Sequence, residues 1–445
     1  MLSIDFIRKN ADKVRYAIDQ KRLSDVIDLD EILNLDESYR AQLRIVETQR
    51  SLRNQLSEGI SQVEGKARRK LIREAAKVKK EIKELDQELA ECKSKLDVRL
   101  LRIPNVIHPD VPEGIDGTEN VVSHKVGKPK KFDFTPKDHM VLGESLDLID
   151  TKTSAKVSGA RFNYLKNEAV LMQFALINFV LDTLTDQAII GELADKVGNP
   201  SAKTFTPVIP PVMIKGEVAK RMARLDPVEE RYYLSEDDLM FVGSAEHSLG
   251  PMFMDQTLDE IQLPLRFVGY STAFRREAGT YGKDTQGILR RHQFDKIEIE
   301  SFTVAENGLV EQDLFVAIQE YLLTQLKIPY QVVKICTGDM GKPDYRQIDM
   351  ECYMPGQGEY RETHTSDYMT DYQARRLNTR YKDSKGKTHF VHMNDATAFA
   401  IGRTLIAIFE NYQQKDGSIL IPEVLRSYMG GKEKIQRREG VKEQP

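Results

Sequence analysis

A long proline-free stretch near the start of the chain constrains the fold more than any other feature. Glu, Lys, Arg, Leu and Gln dominate residues 31–101, and apolar residues in its second half recur at alternating steps of four and three. They are Leu71, Ala75, Val78, Ile82, Leu85, Leu89, Cys92 and Leu96. This heptad spacing is typical of a helix packed along one seam on a partner helix.

Glycine occurs in this stretch only at positions 59 and 65, which places the turn between two helices near residues 57–65. Two long helices joined by a short turn form an antiparallel hairpin. At about 1.5 Å per residue, each helix reaches roughly 50 Å. The sequence therefore predicts an antiparallel two-helix coiled-coil arm over about residues 31–101, which we expect to project.

Basic residues crowd the turn of this arm and the start of its second helix. They are Lys66, Arg68, Arg69, Lys70, Arg73, Lys77, Lys79, Lys80 and Lys83, against only Glu74 and Glu81. Taken alone, such a run fits a solvated coiled-coil face best. It also fits a surface that contacts a phosphate backbone, and the arm by itself leaves both interpretations open.

The overall charge limits the classes of partner. The 445 residues contain 65 Lys and Arg against 69 Asp and Glu, so the net charge is −4. This balance excludes a globally basic nucleic-acid binder, and any such binding must come from a local patch. The three cysteines form no CxxC pair, which indicates a reducing cytosolic compartment rather than a disulfide framework. We expect no secretory signal, and the sequence predicts no membrane span.

Composition also divides the chain. Prolines between residues 104 and 112 end the second helix, and a Lys/Gly/Pro-rich linker follows at residues 126–131. From about residue 138, helical stretches alternate with β-rich runs. The predicted domains are residues 1–110 with the arm, residues 111–430 as a mixed α/β (α+β) domain, and residues 431–445 as a polar, mobile tail. A helical part of residues 187–206 is expected to be a surface insertion.

The segment with the most chemical information is residues 274–298, which read FRREAGTYGKDTQGILRRHQFDKIE. It is predicted as strand, loop and strand, with Arg275, Arg276, Lys283, Arg290 and Arg291 directed at one cleft. Such a cleft would bind a polyanion, since the guanidinium fork matches phosphate oxygens. Phe294 offers a stacking plane for a base, although a core aromatic is the simpler interpretation.

Two further segments suggest an anion and a metal. Arg403 stands in the first turn of an apolar helix, where it would meet either an anion or a surface carboxylate. A group of acids could hold Mg²⁺, which takes one or two carboxylates plus substrate phosphates. The acids are Asp349, Glu351, Glu359 and Glu362. The histidines at positions 247, 292 and 364 lack the spacing of zinc ligands, and neither a P-loop nor a Gly-x-Ser-x-Gly elbow is present.

These motifs resemble those of one family. FRxE followed by GxDTxGILRxHQFDKxE resembles motif 2 of class II aminoacyl-tRNA synthetases, in the form of the seryl-tRNA synthetases. Pro210 and Pro211, after a helix predicted over residues 171–185, resemble motif 1, and AIGRT at 400–404 resembles motif 3. CTGDMG at 336–341, YRET at 360–363, DYQARR at 371–376 and IPNVIHP at 103–109 are similar to further signatures. The motifs occur in the order typical of the family, and the resemblance covers nearly the whole chain.

The resemblance implies a fold and a set of site residues. The fold is an antiparallel sheet core flanked by helices, with the N-terminal coiled-coil arm. Arg275, Arg403 and Glu277 are implied in catalysis. The implied ATP-binding residues are Arg275, Glu277, Arg290, Phe294, Glu362, Thr365 and Arg403, with Glu362 and Thr365 also at Mg²⁺. The implied serine-binding residues are Ser244, Glu246, Arg275, Glu298 and Thr397.

The resemblance also implies partners. The tip residues Lys66, Arg68, Arg69, Lys70, Arg73 and Lys77 would bind tRNA, and Pro211 would lie in the interface of a homodimer that binds tRNA across subunits. The implied activity is ATP- and Mg²⁺-dependent activation of L-serine and its transfer to tRNA(Ser), and also to tRNA(Sec), in the cytoplasm.

Two departures from the family pattern leave a rival function open. Ser244 replaces Thr and keeps the hydroxyl, whereas Asp395 stands where the family usually has Asn. The rival is a synthetase-like paralogue without aminoacylation activity that acts as a binding or structural protein. A coiled-coil scaffold would explain the arm but not the order of the motifs.

Overall fold

The computed structural model describes residues 1–225, 227–277 and 287–438, and the chain forms two compact units, Met1–Val106 and Ile107–Pro445. The first unit is helical, with α1 (Ile4–Lys9), α2 (Ala11–Gln20), α3 (Leu29–Ser61) and α4 (Gly65–Leu100). The Asp28 carboxylate caps α3 by accepting hydrogen bonds from the Asp30 and Glu31 N–H groups. The turn between α3 and α4 lies where the sequence predicts it.

The heptad residues form the contact between the two long helices. Val78, Ile82, Cys92 and Leu96 are buried in α4, and the four other members of the seam are half-buried. On α3, Val46 is fully buried. The coiled-coil arm is therefore confirmed, and its packing follows the 4,3 period of the sequence.

The basic residues at the start of α4 lie on its exposed face. Lys70 and Lys77 pair with glutamates one turn later, at 4.0 and 3.8 Å. Lys80 likewise pairs with Glu84, at 3.9 Å, whereas four other cations near the turn have no carboxylate within 4 Å among the described residues. They are Lys66, Arg68, Arg69 and Arg73. This surface carries a local excess of positive charge that the chain's net charge of −4 conceals.

The second unit is built on a sheet of eight strands. Its strands are β1 (Val121–Val126), β4 (Thr206–Val208), β9 (Leu265–Phe274), β10 (Gln293–Thr303), β11 (Tyr330–Lys334), β12 (Arg346–Met354), β13 (Glu359–Thr370) and β16 (His392–Ala400). The spatial order is β1-β11-β12-β13-β16-β10-β9-β4. Only the β4–β9 pair is parallel, so the predicted antiparallel core is confirmed.

Short strands form smaller sheets around this core. They are β2 (Ile149–Asp150) with β3 (Tyr164–Leu165); β5 (Met213–Lys215), β6 (Tyr233–Leu234) and β7 (Leu239–Phe241); β8 (Thr257–Asp259), β14 (Arg380–Lys382) and β15 (Thr388–Phe390); and β17 (Ile419–Leu420) with β18 (Lys434–Ile435). The β17–β18 pair fixes the start of the polar tail, where Ile435 is 1% exposed. Lys434 and Ile435 are therefore anchored by this strand pair, and residues 439–445 lie outside the described residues.

The longer helices cover one face of the large sheet, and short helices pack on part of the other face. The helices of this unit are α5 (His139–Ser145), α6 (Thr151–Val157), α7 (Glu168–Thr185), α8 (Gln187–Val197), α9 (Gly216–Arg221), α10 (Glu246–Leu249), α11 (Gly308–Gln325), α12 (Tyr372–Leu377) and α13 (Ile401–Tyr412). The main core joins α7, α8, α11 and α13 to Ile297, Ile299, Ala396, Ala398 and Met350 of the sheet. Since side chains alternate along a strand, the residues between these point to the other face.

Two expectations need correction here. The helix within residues 187–206 is α8, whose Ile190, Leu193 and Ala194 are buried in the main core, so it is not a surface insertion. By length and composition alone, α7 is long and apolar enough to cross a membrane, although no membrane span was expected from the sequence. Nine of its residues are buried in this fold, and a buried core helix passes the same test.

We predict that Leu96→Ala lowers the free energy of unfolding of the arm by about 2–5 kcal/mol, because Leu96 is 2% exposed in the seam. Val98, two residues along α4, is 52% exposed, so Val98→Ala is the matched control and should change little. Thermal and urea unfolding, followed by circular dichroism at the helical band, measures both variants. Equal effects of the two substitutions would contradict the seam.

Candidate functional site

A cleft opens on the face of the large sheet opposite the longer helices, where the short helices α10 and α12 also pack. Its deepest part is a cavity of about 110 Å³ between β10, β13, β16 and the first turn of α13. The cavity brings together residues that lie far apart in sequence. Its polar lining comprises Arg275, Glu277, Arg290, Arg291, Lys296, Glu362, Thr363, Thr365, Thr397 and Arg403, and its apolar lining includes Ile288, Leu289 and Phe294.

A buried histidine anchors the loop that forms one wall. The Ile288 N–H donates to Nε2 of His139 at 3.1 Å, and Nδ1 of the same ring faces a Glu410 oxygen at 3.2 Å. Gly287 has φ +78°, and a Cβ there would lie 2.1 Å from the His139 ring. Glycine is therefore required for the close approach that holds residues 288–291 against the cavity.

Arg275 follows β9 and points into the cleft. Its Nε donates to the Gly243 carbonyl at 3.0 Å, and its guanidinium lies 5.4 Å from the centre of the Phe294 ring. It has no carboxylate within 4 Å among the described residues. A guanidinium that is fixed at Nε but unpaired at its outer nitrogens is suited to an incoming anion.

Glu277 and Arg290 form an ion pair across the same wall. Nη1 of Arg290 lies 2.9 Å from Oε2 of Glu277. Glu277 has φ +52°, a left-handed conformation that is uncommon for a residue with a side chain. The strained backbone and the ion pair together fix the Glu277 carboxylate at the cavity rim.

Arg403 and Glu362 meet on the opposite wall. Nη1 of Arg403 lies 2.7 Å from Oε1 of Glu362 and 3.0 Å from its carbonyl oxygen. Burial alone would raise the pKa of Glu362, but the charge and hydrogen bond of Arg403 hold that pKa below its ordinary value. The side chain is nevertheless 50% exposed because it lines the open cleft. The ion pair and the anion-facing position that the sequence suggested for Arg403 therefore coexist.

Thr365 lies on β13 beside Glu362 in the cavity lining. Its hydroxyl and the Glu362 carboxylate supply oxygen donors, the type that Mg²⁺ prefers. Among the described residues, no three His, Cys, Asp or Glu side chains converge as metal ligands. An ion here would need substrate oxygens as well, which is the usual arrangement for Mg²⁺ with a phosphate ligand.

Three donors converge on one oxygen of the buried Glu298. Ser244 Oγ donates to Glu298 Oε1 at 2.8 Å, Thr397 Oγ1 donates to the same oxygen at 3.3 Å, and Lys296 Nζ pairs with it as well. Oε2 receives no hydrogen bond from the described residues. The structure therefore presents one carboxylate oxygen, in a buried polar pocket, for a small hydrogen-bond donor.

Glu246 is held by a cation that the sequence analysis did not single out. Nη2 of Arg224 lies 3.1 Å from Oε1 of Glu246, and Nε2 of His247 lies 3.5 Å from the same oxygen. Burial would raise the pKa of Glu246, but Arg224 and His247 hold it well below its ordinary value. Burial lowers the pKa of His247 to about 4, so this ring is neutral at pH 7. Glu246 is therefore an ionised carboxylate held in a fixed orientation, and its Oε2 accepts no hydrogen bond from the described residues.

A row of three acids crosses the sheet one step beyond Glu298. Glu300 of β10 pairs with Asp395 of β16, and Asp395 pairs with Asp367 of β13, so all three share a face. Glu300 is 1% and Asp395 is 4% exposed. Burial, together with the neighbouring acids, raises the pKa of each well above its ordinary value. The three carboxyl groups of the row therefore stay protonated to a higher pH than ordinary solvated carboxyl groups.

The sequence pattern contains a signal for part of this row. Lys296, Glu298 and Glu300 are spaced by two on a predicted strand, which places them on one face. Only the pairing of distant strands, however, brings Asp395 and Asp367 beside Glu300. Arg224 lies in a segment without a regular pattern, and no sequence signal indicated its contact with Glu246.

Several other predicted residues lie elsewhere. Arg276 is exposed over the Tyr232 ring and does not line the cavity, and Lys283 lies outside the described residues. Glu351 accepts a hydrogen bond from Gln331, and Glu359 pairs with Arg361, so these two acids are not at the candidate Mg²⁺ position. Glu351 lies opposite Glu362 in the β12–β13 register and so shares its face, but neither Glu351 nor Glu359 lines the cavity, so the acidic group is smaller than expected.

Arg291 is a further cation at the cavity. It is 5% exposed and has neither an ion pair nor a hydrogen bond from its guanidinium to a described residue. Burial and the nearby Arg161 lower its pKa to about 10. Pro211, which the sequence places at a subunit interface, is exposed, and its carbonyl accepts a hydrogen bond from Ser248 Oγ at 2.6 Å.

Family models match both units. The model described as the seryl-tRNA synthetase N-terminal domain matches residues 1–107, and the model described as the class II tRNA synthetase core domain (G, H, P, S and T) matches residues 231–412. The serine–tRNA ligase of Dictyoglomus turgidum is 39% identical over 433 residues, which cover 97% of this chain and 98% of the relative.

Solved structures agree over the same length. The seryl-tRNA synthetase from Pyrococcus horikoshii complexed with ATP has a TM-score of 0.89 and 37% identity, covering 99% of this chain and 100% of the other. The cytoplasmic serine–tRNA ligase from Naegleria fowleri in complex with AMP has a TM-score of 0.85 and 28% identity, covering 99% of each chain.

The buried row of acids predicts how stability changes with pH. Since the folded state raises the pKa of Glu300 and Asp395, it binds more protons than the unfolded chain above the ordinary carboxyl pKa. Their contribution is therefore present at low pH and is lost as pH rises towards their folded pKa values. We expect Glu300→Gln with Asp395→Asn to stabilise the protein relative to the native chain by about 1–3 kcal/mol at pH 8, with little gain at pH 4.

Thermal unfolding between pH 4 and pH 8 measures this difference. Asp255 is the control, because Arg221 and Asn378 lower its pKa to about 2 and it is ionised in both states above pH 5. Asp255→Asn should thus change the stability by the same amount at pH 6 and pH 8. A gain from the double variant that did not grow with pH would contradict the raised pKa values.

Proposed function

The chain belongs to the seryl-tRNA synthetase family of aminoacyl-tRNA ligases, and from this premise we propose that it activates L-serine with ATP and transfers it to tRNA(Ser). The observation that carries the proposal is the cavity in which Arg275 and Arg403 face each other beside the pocket of Glu298 and Glu246. An anion site and a pocket for a small polar amine thus adjoin. ATP is the nucleotide, as in the ATP complex of the Pyrococcus horikoshii relative.

In activation, the serine carboxylate attacks the α-phosphorus of ATP, and pyrophosphate leaves. No protein nucleophile is needed, so positioning and charge stabilisation supply the rate. Arg275 would contact the α-phosphate, because its outer nitrogens are unpaired while Nε is fixed by Gly243. Arg403 would contact the γ-phosphate, and Phe294 with Glu277 would hold the adenine, with Arg290 orienting Glu277.

Serine recognition would use the two carboxylates with an unused oxygen. Oε2 of Glu298 would accept the serine hydroxyl, and the hydrogen bonds of Ser244 and Thr397 to Oε1 of the same carboxylate support this role. Oε2 of Glu246 is placed to accept the serine ammonium. Alanine would leave the Glu298 oxygen unpaired, and a site that binds a substrate hydroxyl rejects its deoxy analogue by about 10⁴ or more.

Mg²⁺ is the proposed metal, bound by Glu362 and Thr365 together with ATP phosphates. When bound, it would neutralise charge on the phosphates as pyrophosphate leaves. Within this chain, Arg403 orients Glu362 and keeps it ionised for that role.

The first unit would bind tRNA. The exposed cations Lys66, Arg68, Arg69, Lys70, Arg73 and Lys77 form a surface that suits a phosphate backbone, which is recognised by charge and shape. We propose residues 1–110 as the tRNA-binding domain, 111–430 as the catalytic domain, and a cytoplasmic homodimer with Pro211 in its interface. Substrates with the same long variable arm, including tRNA(Sec), would also be charged.

Serine-dependent exchange of pyrophosphate into ATP by the purified protein tests activation directly. The rival, a paralogue without aminoacylation activity, predicts no exchange. The retained Arg275, Arg403, Glu246, Glu298 and Glu362 favour the enzyme. If the native protein showed no exchange and the Asp395→Asn variant did, the rival would be correct.

We predict that Arg275→Ala and Arg403→Ala each reduce pyrophosphate exchange by about 10²–10³, since each removes a preorganised contact to developing charge. Both side chains are in the open cleft, so the fold should persist, as circular dichroism would verify. Arg380→Ala is the control, because Arg380 is an exposed arginine over the Phe390 ring in the same unit. Near-normal exchange in both cleft variants would remove these residues from the site.

We predict that the basic start of α4 acts only in tRNA binding. Replacing Lys66, Arg68, Arg69 and Lys70 by glutamine should leave exchange unchanged but weaken tRNA charging and flatten the salt dependence of tRNA binding. Deletion of residues 51–85 should give a stronger defect of the same kind. Exposed Lys128, Lys130 and Lys131, replaced together by glutamine, remove three charges outside α4 and provide the control. Unchanged charging by the α4 variants would show that this surface does not bind tRNA.

A further inference from the structure

A second cavity adjoins the nucleotide site and has no assigned ligand. It measures about 360 Å³ and lies on the other side of the wall formed by Arg275, Glu277 and Arg290. Glu246 lies in its lining, so this cavity also reaches the proposed ammonium site of serine. It therefore opens onto the point where the carboxyl group of bound serine would meet the α-phosphate.

The arginines that line this cavity differ in whether a carboxylate pairs with them. Arg290 pairs with Glu277, and Arg224 pairs with Glu246. Arg275 faces the nucleotide cavity as well. Arg231 lines only the second cavity, and it has no carboxylate within 4 Å among the described residues.

Arg231 is held in place without losing its charge. Its Nε donates to the Arg224 carbonyl at 2.7 Å, whereas its outer nitrogens donate to no described residue. Burial, with the charge of Arg224 second, lowers its pKa, yet the group stays protonated at neutral pH. A half-buried guanidinium that is fixed through Nε and free at its outer edge is suited to an oxyanion.

The second step of the proposed reaction determines which oxyanion must pass here. The terminal ribose hydroxyl of tRNA attacks the seryl carbonyl carbon, the bond from that carbon to the phosphate oxygen breaks, AMP leaves, and the hydroxyl proton is released. Nucleotide atoms fill the first cavity at that moment, so the ribose has to approach the carbonyl from the second. A ribose at the end of tRNA brings phosphodiester groups with it.

We propose that Arg231 binds a phosphodiester at the 3′ end of the tRNA and thereby positions the terminal ribose for transfer. This inference rests on the proposed function and names a residue and a cavity for its second step. Arg231 is a positioning residue, because its contact lies on the phosphate backbone and not on the reacting atoms.

The test separates activation from transfer. Arg231→Gln should retain serine-dependent pyrophosphate exchange, while transfer from preformed enzyme-bound seryl-adenylate to tRNA, measured in a single turnover, should slow by roughly tenfold to a hundredfold. Arg231→Lys keeps the charge but loses the Nε bond, so it should recover part of the rate. Arg380→Gln, which removes an exposed arginine distant in sequence from the cavity lining, should leave both steps unchanged.

A chemical double-mutant cycle identifies the contact. tRNA with a neutral methylphosphonate at one of its last two linkages should be a poor substrate for the native protein, yet lose little further rate with Arg231→Gln, because both changes remove one interaction. Additive losses at both linkages would overturn the proposal. So would equal loss of exchange and transfer, which would assign Arg231 to pyrophosphate or to the fold. Absence of exchange in the native protein would instead overturn the proposed function.

Discussion

The hydrogen-bonded register of β10, β16 and β13 determines which side chains of this protein meet in the cleft. Glu298 lies opposite Thr397, and Glu300 lies opposite Asp395, so these polar residues share the cleft face, whereas Ile297, Ile299, Ala396 and Ala398 pack in the main core. A slip of one residue would exchange these faces. The proposed serine pocket and the core against α11 and α13 therefore depend on the same strand pairing, and a change of register would disrupt both.

The charges on this face are balanced unevenly. Glu298 and Glu246 each have a cation, Lys296 and Arg224, whereas the row of Glu300, Asp395 and Asp367 has none of its own. Burial, followed by the neighbouring acids, favours the protonated form of the row, as its raised pKa values indicate. Asp395 at the usual Asn position is thus compatible with activity, because a protonated carboxyl group is, like an amide, a neutral donor and acceptor of similar size.

Much of the architecture could be predicted because it follows from periodic patterns. The 4,3 spacing from Leu71 to Leu96 predicted the arm, and the alternation of polar and apolar residues in β10 predicted one wall of the cleft. The order of motifs placed Arg275 and Arg403 in one family scheme, although spacing alone did not show that they face a common cavity. Sequence patterns gave no prediction where a residue's role depends on a partner distant in sequence. Arg224 pairs with Glu246, and Asp367 lies opposite Asp395. The polar residues of α8 likewise gave no indication that its apolar residues are buried in the main core.

The exposure of two unpaired cations limits what they cost before any substrate binds. Arg275 is exposed and Arg231 is half-buried, so water still solvates them, and an unpaired cation in that position costs little. A phosphate that enters excludes this water, and the same charge then interacts in a lower dielectric, where it is worth more. The acids deep in the pocket have the opposite surroundings: where no cation is near, they are neutralised by protons. The favourable electrostatic interaction therefore forms only when the phosphate binds. Without substrate, the fold does not have to bury an isolated negative charge on the acidic side of the pocket.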